Sequence, residues 1–266
     1  MNAGSYYEPA GHRSGALRYR PTPHAGGAWD PGELHFSPLG GLLVHAVDRH
    51  TADRPGLVPA RISFDILGRL ALEECTIRVA TLRPGRTIEL VEATAEIGGR
   101  TAVRARAWML ARGDTAAVAG GAADPLPHPE TLAARPLTDV WPGGYIASLQ
   151  VRPVGEPLPG RTATWVTTPL DLVAGEEVSA TAAFVALVDT ANGVAVRESP
   201  KEWMFPNVDL TVHLHRPPRA GWTGLDTTVV FGPDGQGLTS SVLHDTAGPV
   251  GQAQQILTVR PMPGPG

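Results

Sequence analysis

The chain has 266 residues, 42% of them apolar and 18% charged, with a formal net charge of -4. This composition gives one large or two small globular domains and excludes a disordered chain, and the weak charge offers no field for nucleic acid or an anionic membrane. The single cysteine, Cys75, excludes an intrachain disulfide and sits in a strand-like run, where a buried, unreactive thiol is expected.

Residues 1–15 are polar, with Glu8, His12 and Arg13, and lack the apolar stretch of a signal peptide. The most apolar run, 178–188, falls well short of the ~20 residues a bilayer span needs. A soluble cytoplasmic protein is expected. Residues 39–47 place Leu39, Leu42, Leu43, Ala46 and Val47 at helical spacing behind Pro38. Residues 61–67 alternate Ile62, Phe64 and Ile66 with Ser63 and Asp65, which predicts a half-buried strand. Further strands are predicted at 75–82, 86–96 and 101–111, separated by Arg83-Pro84-Gly85 and by a hairpin turn at Gly98-Gly99.

Residues 124–160 carry eight prolines, from Pro125 to Pro159, and read as a connector with one short strand near 145–151. The first order of elements then returns. An apolar helix at 178–189 is followed by strands at 208–214, 223–231, 237–244 and 250–259. Arg69 and Arg216 occupy matching places after the first of the four strands in each half. One helix and four antiparallel strands, repeated, predict an α+β fold of two duplicated units: 1–123, the connector 124–160, and 161–266.

Several signatures are absent. There is no G-x-S-x-G, P-loop or paired C-x-x-C, and Gly232 to Gly237 precedes a strand, unlike a dinucleotide loop. His213 and His215 share a strand face, but no third metal ligand accompanies them. Asp189 ends the apolar helix, where it is either solvated or held for chemistry.

The stretch Phe205-Pro206-Asn207-Val208-Asp209-Leu210-Thr211-Val212-His213-Leu214-His215-Arg216-Pro217 resembles the signature strand of the TesB-like acyl-CoA thioesterases. The ending from Gly251 to Arg260 is similar to theirs, and Asp189 lies at the expected distance upstream. The resemblance covers roughly residues 36–260 and implies a double hotdog that hydrolyses acyl-CoA, with its catalytic group in the second unit. Asp189 matches the family's helix aspartate, Gln255 its last-strand glutamine, and Asn207 the place of a threonine or serine. The asparagine is a departure, because its amide donates and accepts from separate atoms.

On this reading Asp189 activates a water, Asn207 and Gln255 hold it, and N–H groups near a helix start meet the oxyanion. The partner is acyl-CoA, with no cofactor, metal, nucleic acid or membrane, and a homo-oligomer is left open. The first half is expected to be structural and Asp48 a solvated helix end. Asp209 is expected to face solvent or the opposing layer. His213, His215 and Arg216 either meet CoA phosphates or form an ordinary surface strand. Asp189→Asn is expected to cut turnover with little change in stability. The alternatives are a non-catalytic acyl-thioester-binding hotdog and hydration or dehydration of an acyl thioester. The latter calls for a paired Asp and His, and no His follows Asp189 within the next turns.

Overall fold

The computed structural model describes residues 4–263. A hairpin of β1 (Ser5–Arg13) and β2 (Ala16–Pro21) precedes helix α1 (Phe36–His50). Strands β3 (Leu57–Ile66), β4 (Cys75–Arg83), β5 (Ile88–Ile97) and β6 (Arg100–Ala111) follow. After the short helix α2 (Gly144–Ala147), the pattern recurs as hairpin β7 (Gln150–Leu158) and β8 (Arg161–Thr167), then β9 (Asp171–Val173). Next come helices α3 (Ala180–Val188) and α4 (Ala191–Val194) and the two-residue β10 (Trp203–Met204). The second set of four strands is β11 (Asp209–Leu214), β12 (Thr223–Phe231), β13 (Gln236–Asp245) and β14 (Gly248–Thr258); β15 (Arg260–Pro261) pairs with β10.

Thirteen strands form one sheet in the order β7-β8-β12-β13-β14-β11-β3-β6-β5-β4-β2-β1-β9. The two halves of this order mirror one another about the β11–β3 seam, where the strands run antiparallel with Thr211 opposite Ser63. β9, from the second unit, adds in parallel to β1 at the far edge. This is the expected α+β double hotdog. The hairpin at Gly98-Gly99 is present, and the other strands predicted after each long helix lie close to their expected bounds. Among the described residues no helix is long and apolar enough to cross a membrane.

Two stretches differ from the expectation. Each unit carries a leading hairpin, and the first of these begins in the residues read as merely polar, where Tyr6 and Tyr7 are buried. The strand expected near 145–151 is a helical turn at Gly144–Ala147, with the strand starting at Gln150. Gly143 and Gly144 pass so close to Gly27 and Pro23 that an added Cβ would meet their carbonyl oxygens at 2.3 and 2.0 Å. Part of the supposed connector is therefore sheet: β7 holds Pro153 and Pro157. A sheet tolerates them there because β7 is an edge strand, where missing N–H donors cost no ladder bonds.

The core lies between the helices and the sheet. Leu39, Leu42 and Leu43 of α1 and Phe184, Val185 and Val188 of α3 are buried with Ile62, Phe64, Val91 and Ala105 of the strands. Cys75 is buried too, and burial pushes its thiol up to about 12, as an unreactive cysteine requires. The long helices meet at Gly41, where a Cβ would stand 2.5 Å from Ala186 Cβ and 2.8 Å from Ala182 O. Only glycine allows this approach. Gly41→Ala is expected to cost about 1–3 kcal/mol, the range for overpacking a core. Urea denaturation measures it, and an unchanged midpoint would show that the helices do not depend on this contact.

Ser179, which caps α3, donates from its hydroxyl to Asp48 Oδ2 at 2.6 Å and so ties the start of α3 to the end of α1. Asp48 is half-buried, not the solvated helix end expected, and burial raises its carboxyl against that hydrogen bond.

Candidate active site

The three residues picked out in the second unit converge. Asp189 ends α3, where the chain turns before α4; it is only 6% exposed. Asn207 stands just before β11 and donates its Nδ2 to Asp189 Oδ1 at 2.8 Å and to Asp209 O at 2.9 Å. Gln255 of β14 donates its Nε2 to the same Asp189 Oδ1 at 2.7 Å. Along β14, Ala253, Gln255 and Leu257 face inward while Gln254 and Ile256 face out, so a polar side chain occupies an apolar phase. Gln255 is 1% exposed, and its Oε1 has no partner among the described residues.

Desolvation dominates the electrostatics of Asp189. Burial pushes its carboxyl up to about 7 against the hydrogen bonds of Asn207 and Gln255, with a small push from Asp209. The carboxyl therefore exchanges a proton near neutral pH. Oδ1 is tied by two donors, and Oδ2 lies 3.8 Å from His35 Nδ1.

Asp189 and Asn207 line a pocket of about 190 Å³, and the first unit supplies most of its wall. Trp29, His35, Phe36, Ile66 and Leu70 come from that unit, with Trp141 from the stretch between units. Trp29 and Trp141 pack edge to face at 4.8 Å, and Trp141 donates its Nε1 to Gly193 O at 2.9 Å. The half expected to be structural thus lines the same pocket as Asp189, at the start of α1. His35, Trp29 and Trp141 were not singled out from the sequence. The one available signal for His35 was its place immediately ahead of a Pro-containing helix start, where a side chain caps the helix.

The other residues considered lie elsewhere. Asp209 accepts the Ile256 N–H at Oδ1, 2.6 Å, and sits half-buried opposite Asp65 across the seam. His213 and His215 line a separate depression with Pro249 and Gln252. Arg216 grips Asp245 with both terminal nitrogens, at 2.6 and 2.7 Å, and so is committed inside the fold instead of waiting for a phosphate.

Residues 25–110 match the acyl-CoA thioesterase N-terminal domain, and residues 129–259 match the acyl-CoA thioesterase C-terminal domain. The chain belongs to the acyl-CoA thioesterase family. No curated protein matches it. Among solved structures it is similar to a conserved protein of unknown function with a hot dog fold from Alicyclobacillus acidocaldarius, at 13% identity and TM-score 0.72 over 94% of this chain and 95% of that one. It is also similar to the tesB protein of Mycobacterium avium subs paratuberculosis, at 17% identity and TM-score 0.69 over 94% and 95%. A third is the acyl-CoA thioesterase II TesB2 of Mycobacterium marinum, at 16% identity and TM-score 0.65 over 97% and 96%. At these identities the likeness shows the fold.

Proposed function

We propose that this chain hydrolyses an acyl-CoA thioester to the free acid and CoA, using a water activated by Asp189. The observation that carries the reading is the Asp189 carboxyl itself. It is buried, raised to about 7, tied through one oxygen to Asn207 and Gln255, and placed on the pocket wall. A carboxyl with a pKa near the working pH takes a proton from water and gives it up again with little driving force either way.

In the proposed step, water bound at Oδ2 attacks the thioester carbonyl carbon and passes a proton to Asp189. The C–O bond forms, the carbonyl becomes an oxyanion, and its collapse breaks the C–S bond so that CoA leaves and takes up a proton. Both Asn207 amide hydrogens are engaged, so its Oδ1 remains an acceptor toward the water, while Gln255, which is buried and does not line the pocket, serves to orient Asp189 through Oδ1. The asparagine thus supports a role that a threonine or serine plays in the family pattern. The start of α1 lines the same pocket and brings the positive end of a long helix to it. The setting this reading expects is the cytoplasm and acyl-group metabolism.

A second reading, reversible hydration of an enoyl thioester, draws on one observation. His35, from the first unit, stands 3.8 Å from Asp189 and supplies the Asp–His pair missing from the sequence after Asp189. Burial pushes the His35 imidazole down to about 3, so near pH 7 it is a poor base for a carbon-bound proton. That favours hydrolysis. A panel of acyl-CoAs from acetyl to palmitoyl, followed by free-thiol release, tests the proposal, with enoyl-CoA followed by its absorbance alongside. Thiol release with at least one chain length is expected. Binding without release would point to the non-catalytic alternative, and loss of enoyl absorbance without thiol to hydration.

A further inference from the structure

The first N–H groups of a helix lack partners within it, so the start of α1 is where donors to a carbonyl oxygen are expected. One of them is already taken. His35 caps α1, and its Nδ1 accepts the Ser37 N–H at 3.2 Å. An imidazole nitrogen that accepts a backbone N–H carries no proton, so the neutral ring holds its proton on Nε2. The ring is fixed in place. Tyr145 packs on it with centroids 4.1 Å apart, and the residue's backbone N–H donates to Ala25 O at 2.9 Å. Tyr145 is held in turn by Thr190, next to Asp189, through a 2.7 Å hydrogen bond between their hydroxyls. The His35 side chain keeps 16% exposure, on the pocket wall.

We infer that His35 is a catalytic residue: its Nε2–H donates to the thioester carbonyl oxygen and stabilises the oxyanion as the Asp189-bound water attacks. This rests on the hydrolytic reading above. Asp189 Oδ2 lies 3.8 Å from His35 Nδ1, so the ring that carries Nε2–H stands beside the carboxyl that would hold the water, and both residues line the same pocket. A neutral imidazole suits the task, since it donates a hydrogen bond without surrendering its proton. The nearby positive end of α1 opposes an imidazolium and favours the oxyanion. The water's proton goes to Asp189, and Nε2 keeps its own through both bond changes.

His35→Asn tests this, because asparagine still caps a helix through its side-chain oxygen but places no donor where Nε2 stood. The expected result is a fall in kcat of about a hundred- to a thousand-fold with KM little changed, the effect of losing one oxyanion donor. A second readout is the infrared carbonyl stretch of a bound ketone analogue of acyl-CoA, with CH2 in place of sulfur. The stretch should move to higher wavenumber in His35→Asn and stay in place in Asp189→Asn. Wild-type kcat, or an unshifted carbonyl, in His35→Asn overturns the inference. If Asp189→Asn is inactive while His35→Asn turns over normally, only the role of His35 falls. If Asp189→Asn retains full turnover, the hydrolytic reading falls with it.

Discussion

Asp189→Asn is expected to lower kcat for acyl-CoA hydrolysis by about a thousand-fold, within the range for loss of a general base, while making the protein more stable above pH 7. The substitution fits the site. The new carbonyl oxygen accepts from Asn207 and Gln255 as Oδ1 does now, and the new amide takes the place of Oδ2, 3.8 Å from the His35 ring. The stability gain follows from linkage. The folded carboxyl titrates at about 7 and an unfolded aspartate at about 3.9, so between those pH values the folded state binds the extra proton. Stability is therefore highest below the unfolded value and declines as pH rises through the folded one. Asparagine removes this decline. Thermal unfolding at pH 8 should show the variant above wild type, with the two converging below pH 4. The sequence alone suggested little change in stability, because a solvated or pocket carboxylate contributes little to the core; at 6% exposure the carboxyl is buried, and the expected change becomes a gain. A variant that is inactive and less stable at pH 8 would mean that Asp189 holds the fold instead of straining it.

The largest loss of stability is expected from Arg216→Ala, about 3 kcal/mol, the low end for breaking a buried ion pair. Asp245 is 1% exposed and receives both terminal nitrogens of Arg216, together with the N–H groups of Arg219 and Ala247 at 2.8 Å. Arg216 also donates to Gly248 O and Pro249 O and so pins the turn between β13 and β14. Removing the guanidinium strands a buried carboxylate, although the two backbone donors soften the loss. Burial raises the Asp245 carboxyl, but Arg216 and those N–H groups outweigh it and hold it below its ordinary value. The contribution is therefore present above the unfolded pKa of about 3.9 and disappears as pH falls through the folded one. Urea denaturation at pH 7 should show the full loss, and the same measurement in acid a smaller one. An unchanged midpoint at pH 7 would return Arg216 to the list of groups free to meet CoA phosphates.

How far the sequence carried depended on periodicity. The alternation in β11 and the long apolar run of α3 were readable because burial imposes a period on each. Gln255 was not readable from periodicity: only the resemblance picked it out, and the structure puts it in the inward phase of β14. The leading hairpins were not readable either. β1 buries only its first three residues, and β7 carries prolines that an edge strand tolerates, so neither shows a clean alternation. His35 escaped for a different reason. Its partner Asp189 lies in the other unit, and only the packing of α1 against α3 brings the two side chains together. Spacing along the chain carries no record of a contact made by folding two units onto one seam. The resemblance directed attention to Asp189, Asn207 and Gln255, all in the second unit, and left the pocket wall from the first unit unseen.

The most direct test of the account is the pH dependence of kcat/KM for acyl-CoA hydrolysis by the full chain. The account predicts a rate that rises from acid pH to a plateau with a midpoint near 7, set by deprotonation of Asp189, and a residual rate in Asp189→Asn that lacks this limb. A profile that is flat from pH 5 to 9, or one that keeps the same midpoint after Asp189→Asn, would contradict it.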